Sequence, residues 1–138
     1  SSCGIPTDVG VVGPLICYDL RFPELSRKYF LEGATLFCVS AQWPSVRSAH
    51  WGILAAARAV ESQVFVVAAN ATGPSGPFQY AGGSGIGSPA GERVASAGEG
   101  EGMALATIDP TAVEETRRRI PCLADRNERA YRKTRRPG

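Results

Sequence analysis

The sequence predicts an α/β fold in which helices cover a largely buried sheet. Segments of strand length and helix length alternate along the chain, an order that is typical of this class. The strand-length segments are almost continuously apolar, as expected of strands that are buried on both faces. Glycine and proline separate the segments and mark their ends. With 138 residues, the chain is long enough for one domain with one core.

The first half of the chain contains three predicted strands and two predicted helices. Residues 9–16 are mostly apolar and predict the first strand. Residues 23–33 predict a helix, because proline suits its first turn and glycine suits its end. A strand over residues 34–40 follows. Residues 45–62 predict a second helix, which its first residue, a serine, can cap, and the valine-rich residues 63–69 predict the next strand.

The second half is richer in glycine and proline. Residues 70–87 predict a loop that leads into a short strand near residues 82–88, weakened by its glycines. Residues 93–97 and 103–108 predict two antiparallel strands, joined by an acidic, glycine-rich connection. An aspartate and a proline at positions 109 and 110 then predict the start of a last helix, which ends before Pro121.

Basic residues are concentrated near the C-terminal end. The net charge is only +2, yet nine of the fifteen lysines and arginines lie between residues 117 and 136. Only Tyr131 lies among these charges, so the interleaved aromatic residues of a nucleic-acid binder are missing. We therefore predict a domain over residues 1–125, a solvated basic tail over residues 126–138, and no nucleic-acid partner.

Two features bear on where the protein works. No apolar run reaches the length of about 20 residues that a membrane-spanning helix needs, and the first residues lack a signal-peptide pattern. The four cysteines are scattered without a C-x-x-C pair, which disfavours a zinc site or a redox motif. Two disulfides are the alternative, but we expect reduced thiols in a cytoplasmic protein without a membrane partner.

Cys17 has a different context from the other cysteines. It stands where the strand of residues 9–16 ends, shortly before the next helix. A thiol held at such a junction can act as a nucleophile. The alternative is a small buried residue at the end of a core strand, because free cysteine is often buried. This alternative is the interpretation that applies to Cys3, Cys38 and Cys122.

The residues around Cys17 belong to a series of short motifs. Residues 15–24 read L-I-C-Y-D-L-R-F-P-E. With the motifs that follow, this segment resembles the nitrilase or carbon-nitrogen hydrolase superfamily, in its omega-amidase-like branch, over residues 7–131. Each motif is weak alone, but their order and spacing are specific. The further matching residues are Thr7, Gly10, Gly13, Trp43, Pro44, His50, Trp51, Ala57, Arg58, Ala59, Glu61, Gln63, Gly83, Ser84, Ile86, Pro89, Ala90, Gly91 and Glu92.

The resemblance implies a fold, an assembly and a set of catalytic residues. The family folds as a four-layer α-β-β-α sandwich of two similar halves, and this chain is expected to be the C-terminal half. A homodimer is implied, and neither a metal nor an organic cofactor. The family's cysteine works with a glutamate base and a lysine that both precede it in sequence. Here the only acid before Cys17 is Asp8, and both lysines, Lys28 and Lys133, follow it.

The predicted site lies at the edge of the sheet where strands end. Cys17 is the predicted nucleophile, and the backbone N–H of Tyr18 is predicted to face the developing oxyanion. Gln42 and Trp43 follow a strand that runs in the same direction, so both are expected at this edge and in the substrate pocket. A purely structural place for Trp43 in the core is the alternative.

Charged residues near this edge allow two interpretations. Arg21 can grip a substrate carboxylate through two hydrogen bonds. Alternatively, it pairs with one of the other charged residues that lie in apolar segments, where unpaired charge is costly. These residues are Asp19, Glu24, Arg58 and Glu61, and the last two have the spacing of a helical pair. His50, the only histidine, is interpreted as a structural residue and not as a base for Cys17.

The predicted function is hydrolysis of a carbon-nitrogen bond in a small amide, through a Cys17 thioester and with release of ammonia. The first candidate substrate is a short dicarboxylic acid monoamide, while nitriles and carbamoyl compounds stay open. A non-catalytic remnant or assembly module is the alternative, because the glutamate and lysine are missing and the chain alone is expected to be inactive. Acyl transfer to an amine is a third possibility. A half-sandwich is also expected to associate through its apolar sheet face.

Overall fold

The computed structural model describes residues 4–131 of the chain. Cys3 and most of the predicted tail, residues 132–138, lie outside the described residues. The sheet consists of the strands Ile5–Thr7 (β1), Gly10–Ile16 (β2), Ala34–Ala41 (β3), Phe65–Asn70 (β4), Ser84–Gly87 (β7) and Arg93–Gly98 (β8). A separate hairpin contains Thr72–Ser75 (β5) and Phe78–Ala81 (β6). The helices are Pro23–Leu31 (α1), Ser48–Ser62 (α2) and Thr111–Arg119 (α3).

The strands follow the order β1-β2-β3-β4-β7-β8 across the sheet. The central strands β2, β3 and β4 are parallel, and the strands outside them pair antiparallel. α1 connects β2 to β3, and α2 connects β3 to β4. Because parallel strands end at the same edge, the residues that follow β2, β3 and β4 come together there.

One face of the sheet, called the covered face below, packs against α1 and α2. It carries Leu15, Phe37 and Val39, all of them buried. They form one cluster with Tyr29 of α1 and Trp51 of α2. Burial of such side chains is the main stabilising contribution to a fold of this kind.

The other face, called the open face below, carries Val12, Pro14 and Ile16 of β2, with Leu36 and Cys38 opposite the first two on β3. Ile16 is 69% exposed, and the other four side chains are half-buried. Burial raises the pKa of the Cys38 thiol. The open face is thus apolar in composition but only partly covered by residues 4–131.

The last helix is fixed at the end of the sheet opposite to Cys17. The backbone N–H of Thr111 donates to Asp109 at 2.9 Å and lowers the pKa of that carboxyl. Arg117 donates to the carbonyl oxygen of Ala34 at 2.6 Å, at the start of β3, and burial lowers its pKa. Gln63 donates to the carbonyl oxygen of Ile120 at 2.8 Å. The predicted start and end of this helix are therefore confirmed.

The predicted order of elements from β2 to β4 is confirmed, with two shifted boundaries. Ser45 does not cap α2, because Ser45–Arg47 form a 3₁₀ turn and the helix begins only at Ser48. β4 begins at Phe65, because Gln63 ends α2 with a left-handed backbone at φ 52°.

The prediction for the following segment was wrong in one respect and incomplete in another. Residues 103–108 form no strand, and β8 pairs with β7 instead. Gly85 permits this pairing, because a Cβ there would lie 2.7 Å from the carbonyl oxygen of Ala95. The short strand β1 and the β5–β6 hairpin had no counterpart in the prediction, which had a loop where the hairpin lies. Among the described residues, no helix combines the length and the apolar character needed to cross a membrane.

Candidate active site

Cys17 lies on a strained turn at the end of β2. Its φ is 42°, in the left-handed region that residues with a Cβ rarely adopt, and the 3₁₀ turn Cys17–Arg21 begins with it. Such a conformation costs about 1–3 kcal/mol and clusters at functional sites, although it also occurs at helix ends, as at Gln63. In α/β-hydrolases, a sharp strand-to-helix turn of this kind presents a nucleophile above the edge of a sheet. The side chain is half-buried.

Hydrogen bonds hold this turn on both sides of Cys17. Asp19 reaches back across it and accepts from the backbone N–H of Ile16 at 3.0 Å. The buried Arg58 of α2 donates to the carbonyl oxygen of Leu20 through Nε at 3.1 Å and Nη2 at 2.8 Å. Arg58 also forms an ion pair with Glu61 at 2.8 Å, which confirms the predicted pairing on α2. The turn is therefore anchored to a helix of the covered face.

Cys17 opens into a cleft of about 490 Å³. This volume is within the range of small-molecule sites. Five of the residues discussed as site candidates in the sequence line it together, namely Cys17, Tyr18, Arg21, Trp43 and His50. Pro44 and Arg47 complete the lining. Gln42 does not line this cleft; its side chain is exposed at the end of β3.

Trp43 belongs to both the core and the cleft. It is 3% exposed and contacts Trp51, with ring centroids 5.8 Å apart. Its indole Nε1 donates to the carbonyl oxygen of Arg47 at 2.8 Å. Its backbone N–H donates to Oδ1 of Asn70 at 2.6 Å, and Nδ2 of Asn70 donates to the carbonyl oxygen of Gly82 at 2.7 Å. Asn70, at the end of β4, thus fixes Trp43 at this edge.

The expectation that Arg21, Asp19 and Glu24 form ion pairs was wrong for the described part of the chain, where the ion pairs lie elsewhere. Asp19 instead supports the Cys17 turn. Arg21 lies over the ring of Trp43, with its Cζ 4.8 Å from the ring centroid. Its Nη2 donates to Nδ1 of His50 at 3.3 Å. Stacking on Trp43 and an imidazole acceptor therefore take the place of the expected acid.

His50 is exposed at the cleft and does not pack in the core. Because the arginine is a donor only, Nδ1 of His50 is the acceptor in this contact. No hydrogen bond joins His50 to Cys17 within residues 4–131. The geometry therefore disfavours a cysteine–histidine pair, in agreement with the sequence-based interpretation.

Comparison with known proteins agrees with this architecture. The family model described as carbon-nitrogen hydrolase matches residues 4–118. The chain belongs to the carbon-nitrogen hydrolase family. Its fold is a mixed α/β fold of the nitrilase type, so the predicted family and fold class are confirmed.

Three relatives illustrate the similarity. The 2-oxoglutaramate amidase of Bacillus subtilis is 44% identical over 117 residues, which are 85% of this chain and 45% of the relative. The NitFhit protein of C. elegans has a TM-score of 0.89 at 37% identity, over 94% of this chain and 32% of that one. A mutant amidase from Nesterenkonia has a TM-score of 0.75 at 30% identity, over 88% and 43%. The chain spans less than half the length of these relatives.

Sequence reasoning missed two residues of the site. Arg47 had no signal of its own, because only the 3₁₀ turn before α2 brings it into the cleft. Asn70 was assigned to the beginning of a loop. One signal could have identified Asn70. It is a polar amide at the end of an apolar strand, at the same edge of the sheet as the ends of β2 and β3.

Proposed function

We propose that this chain carries the nucleophile of an enzyme that hydrolyses the carbon-nitrogen bond of a small amide, in the manner of an omega-amidase. The observation that carries the proposal is the strained turn that presents Cys17 at the mouth of a cleft of small-molecule size. Two findings on relatives support it. The B. subtilis relative is a 2-oxoglutaramate amidase, and the Nesterenkonia structure has an acetamide moiety of fluoroacetamide added covalently at its active-site cysteine.

In the proposed reaction, the Cys17 thiolate attacks the amide carbon and forms a carbon–sulfur bond. The amide oxygen becomes an oxyanion, which the backbone N–H of Tyr18 stabilises at the open N-terminal end of the 3₁₀ turn. The tetrahedral intermediate breaks its carbon–nitrogen bond, and the nitrogen takes up a proton and leaves as ammonia. Water then attacks the thioester, which releases the carboxylic acid and restores the thiol.

Proton transfer in both steps needs a general base, which the family pattern assigns to a glutamate, and a lysine of the same pattern stabilises the tetrahedral intermediate. Neither residue is present before Cys17 in this sequence. We therefore assign activity to a longer polypeptide that contains this chain, and we expect none from the chain alone. Arg21 and Trp43 line the cleft in positions suited to hold the substrate.

The test is a comparison of the full-length gene product with its Cys17→Ser variant on short aliphatic amides. We expect ammonia release only from the unsubstituted protein, and a covalent acyl adduct on the peptide that contains Cys17 by mass spectrometry. Cys122→Ser is the matched control, because Cys122 is exposed and lies outside the Cys17 cleft. Equal ammonia release from both cysteine variants would reject Cys17 as the nucleophile.

Assembly as a homodimer is also part of the proposal. The outer side of α2 carries Ala49, Ile53, Ala56 and Val60, which follow the spacing of one helix face and are all exposed. An apolar stripe of this length on a helix is suited to contact a second copy. Sedimentation of the full-length protein with and without Ile53→Glu tests this contact, and an unchanged dimer would argue against it.

The cytoplasmic location stays a prediction.

A further inference from the structure

Two guanidinium groups line the Cys17 cleft without a carboxylate partner among residues 4–131. Arg21 and Arg47 are both part of the lining, and the ion pairs of the described residues lie elsewhere. Asp19, in the same turn as Arg21, uses Oδ2 to accept from the backbone of Ile16. A cleft lined by charges of one sign concentrates ligands of the opposite sign. The charge of this cleft therefore indicates an anionic group on the ligand.

Trp43 connects the two arginines. The face of its ring lies under Arg21, with 4.8 Å from Cζ to the ring centroid, and its Nε1 donates to the carbonyl oxygen of Arg47 at 2.8 Å. Asn70 holds the backbone of Trp43, and the indole itself is buried in the core. The buried ring of Trp43 therefore positions the guanidinium of Arg21 and the backbone of Arg47.

Both arginines keep donors for a ligand. Arg21 uses Nη2 for His50, and its other N–H groups have no hydrogen-bond acceptor in the described part of the chain. The side chain of Arg47 makes no hydrogen bond there and is exposed. A guanidinium binds a carboxylate through two parallel hydrogen bonds, a geometry that a lysine does not offer.

We infer that Arg47 acts with Arg21 to bind the carboxylate of the substrate, and that Trp43 is the positioning residue for both. The inference rests on the proposed amide hydrolysis at Cys17. For the candidate substrate already named, a short dicarboxylic acid monoamide, it places the carboxylate at the two arginines and the amide at Cys17. Arg47 then determines specificity for acidic amides over neutral amides of the same length.

The first experiment measures kcat/KM of the full-length gene product on succinamate and on butyramide, which has the same length but no carboxylate. We expect Arg47→Gln to lower the succinamate-to-butyramide ratio about 10- to 100-fold, as for the loss of a charged hydrogen bond. Arg47→Lys is expected to recover part of the ratio, because it keeps the charge but not the planar fork. Arg118→Gln, on the exposed side of α3, is the control and leaves both values unchanged.

Trp43→Phe tests the positioning role. The phenyl ring keeps most of the buried volume but loses the N–H that donates to the carbonyl oxygen of Arg47. We expect KM for succinamate to rise several-fold while kcat stays nearly constant. Equal losses on both substrates for the Arg47 and Trp43 variants would overturn the inference, since they would indicate a structural role alone.

Binding separates this inference from the proposed function. Calorimetry of succinamate with the Cys17→Ser variant reports the arginine pair without turnover, and adding Arg47→Gln is expected to raise Kd at least tenfold. Binding without turnover in the unsubstituted protein would reject the proposed reaction and retain the arginine pair. Turnover of both amides at equal kcat/KM, or no binding of succinamate at all, would reject the arginine pair.

Discussion

The two faces of the sheet differ far more in structure than in sequence. Leu15 and Ile16 are adjacent aliphatic residues of β2, yet Leu15 is 1% exposed and Ile16 is 69% exposed. The covered face is buried by α1 and α2, the same segments that connect the parallel strands. The open face has an equally apolar composition without an equivalent cover among the described residues. The helices that connect the parallel strands therefore cover one face of the sheet. Cys17 directly follows Ile16, the last residue of β2 on the open face.

The largest expected effect concerns the stability of the two faces. Leu15→Ala is expected to lower the free energy of unfolding of the chain by about 2–5 kcal/mol, because it removes packing from the covered core. Ile16→Ala is expected to cost less than about 1 kcal/mol, because most of that side chain is already in water. Urea denaturation followed by the fluorescence of Trp43 and Trp51, which are both buried, measures the two values.

Similar losses from the two substitutions would break the comparison. They would mean that Ile16 is buried in solution by another molecule. In that case, the loss of unfolding free energy caused by Ile16→Ala should become smaller when the protein is diluted. A loss at Ile16 that does not depend on concentration would instead contradict the distinction between the covered face and the open face.

A second expected effect concerns association through the open face. Ile16→Thr keeps a β-branched side chain but removes apolar surface, so we expect it to weaken self-association of the chain by about tenfold. Sedimentation velocity over a range of concentrations measures this change. Leu105→Gln is the control, because Leu105 is 79% exposed in an irregular segment outside the sheet. A monomeric chain, or equal effects of both substitutions, would show that the open face is not the associating surface.

The smallest expected effect concerns how accessible Cys38, on the open face, is to solvent. Burial raises the pKa of the Cys38 thiol, so a smaller fraction is thiolate at any given pH than in an ordinary cysteine. Alkylation of Cys38 by iodoacetamide is therefore expected to lag behind that of the exposed Cys122 at pH 8, and to accelerate as the pH rises further. Peptide mass spectrometry measures both rates in one sample. Equal rates at pH 8 would place Cys38 in full contact with water.

Much of the fold could be predicted from the sequence, because the signals for its strands and helices lie in contiguous residues. The apolar runs of β2 to β4 and the proline and glycine that bound α1 determine the alternation of strands and helices. The pairing of β8 with β7 could not be predicted in this way. It depends on a close backbone approach at Gly85, which is a property of the assembled sheet. The β5–β6 hairpin likewise formed in a segment whose glycine and proline content indicated a loop.

The candidate site was predictable in its nucleophile but not in its surroundings. Cys17 follows from the strand end and its flanking residues, and those signals are contiguous in sequence. The contact of Arg21 with His50 joins residues that are 29 positions apart, and Arg47 enters the cleft through a turn that the helical pattern concealed. Such contacts arise from the crossing of α2 over the sheet edge, which no spacing rule describes.

The left-handed backbone of Cys17 has a consequence for the stability of the fold. Glycine adopts a φ of 42° freely, whereas a residue with a Cβ gives up about 1–2 kcal/mol there. A Cys17→Gly substitution would therefore abolish the proposed chemistry and relieve this backbone strain, although it would also remove the packing of the Cys17 side chain against the core. The proposed nucleophile thus occupies a position where its own backbone conformation reduces the stability of the fold.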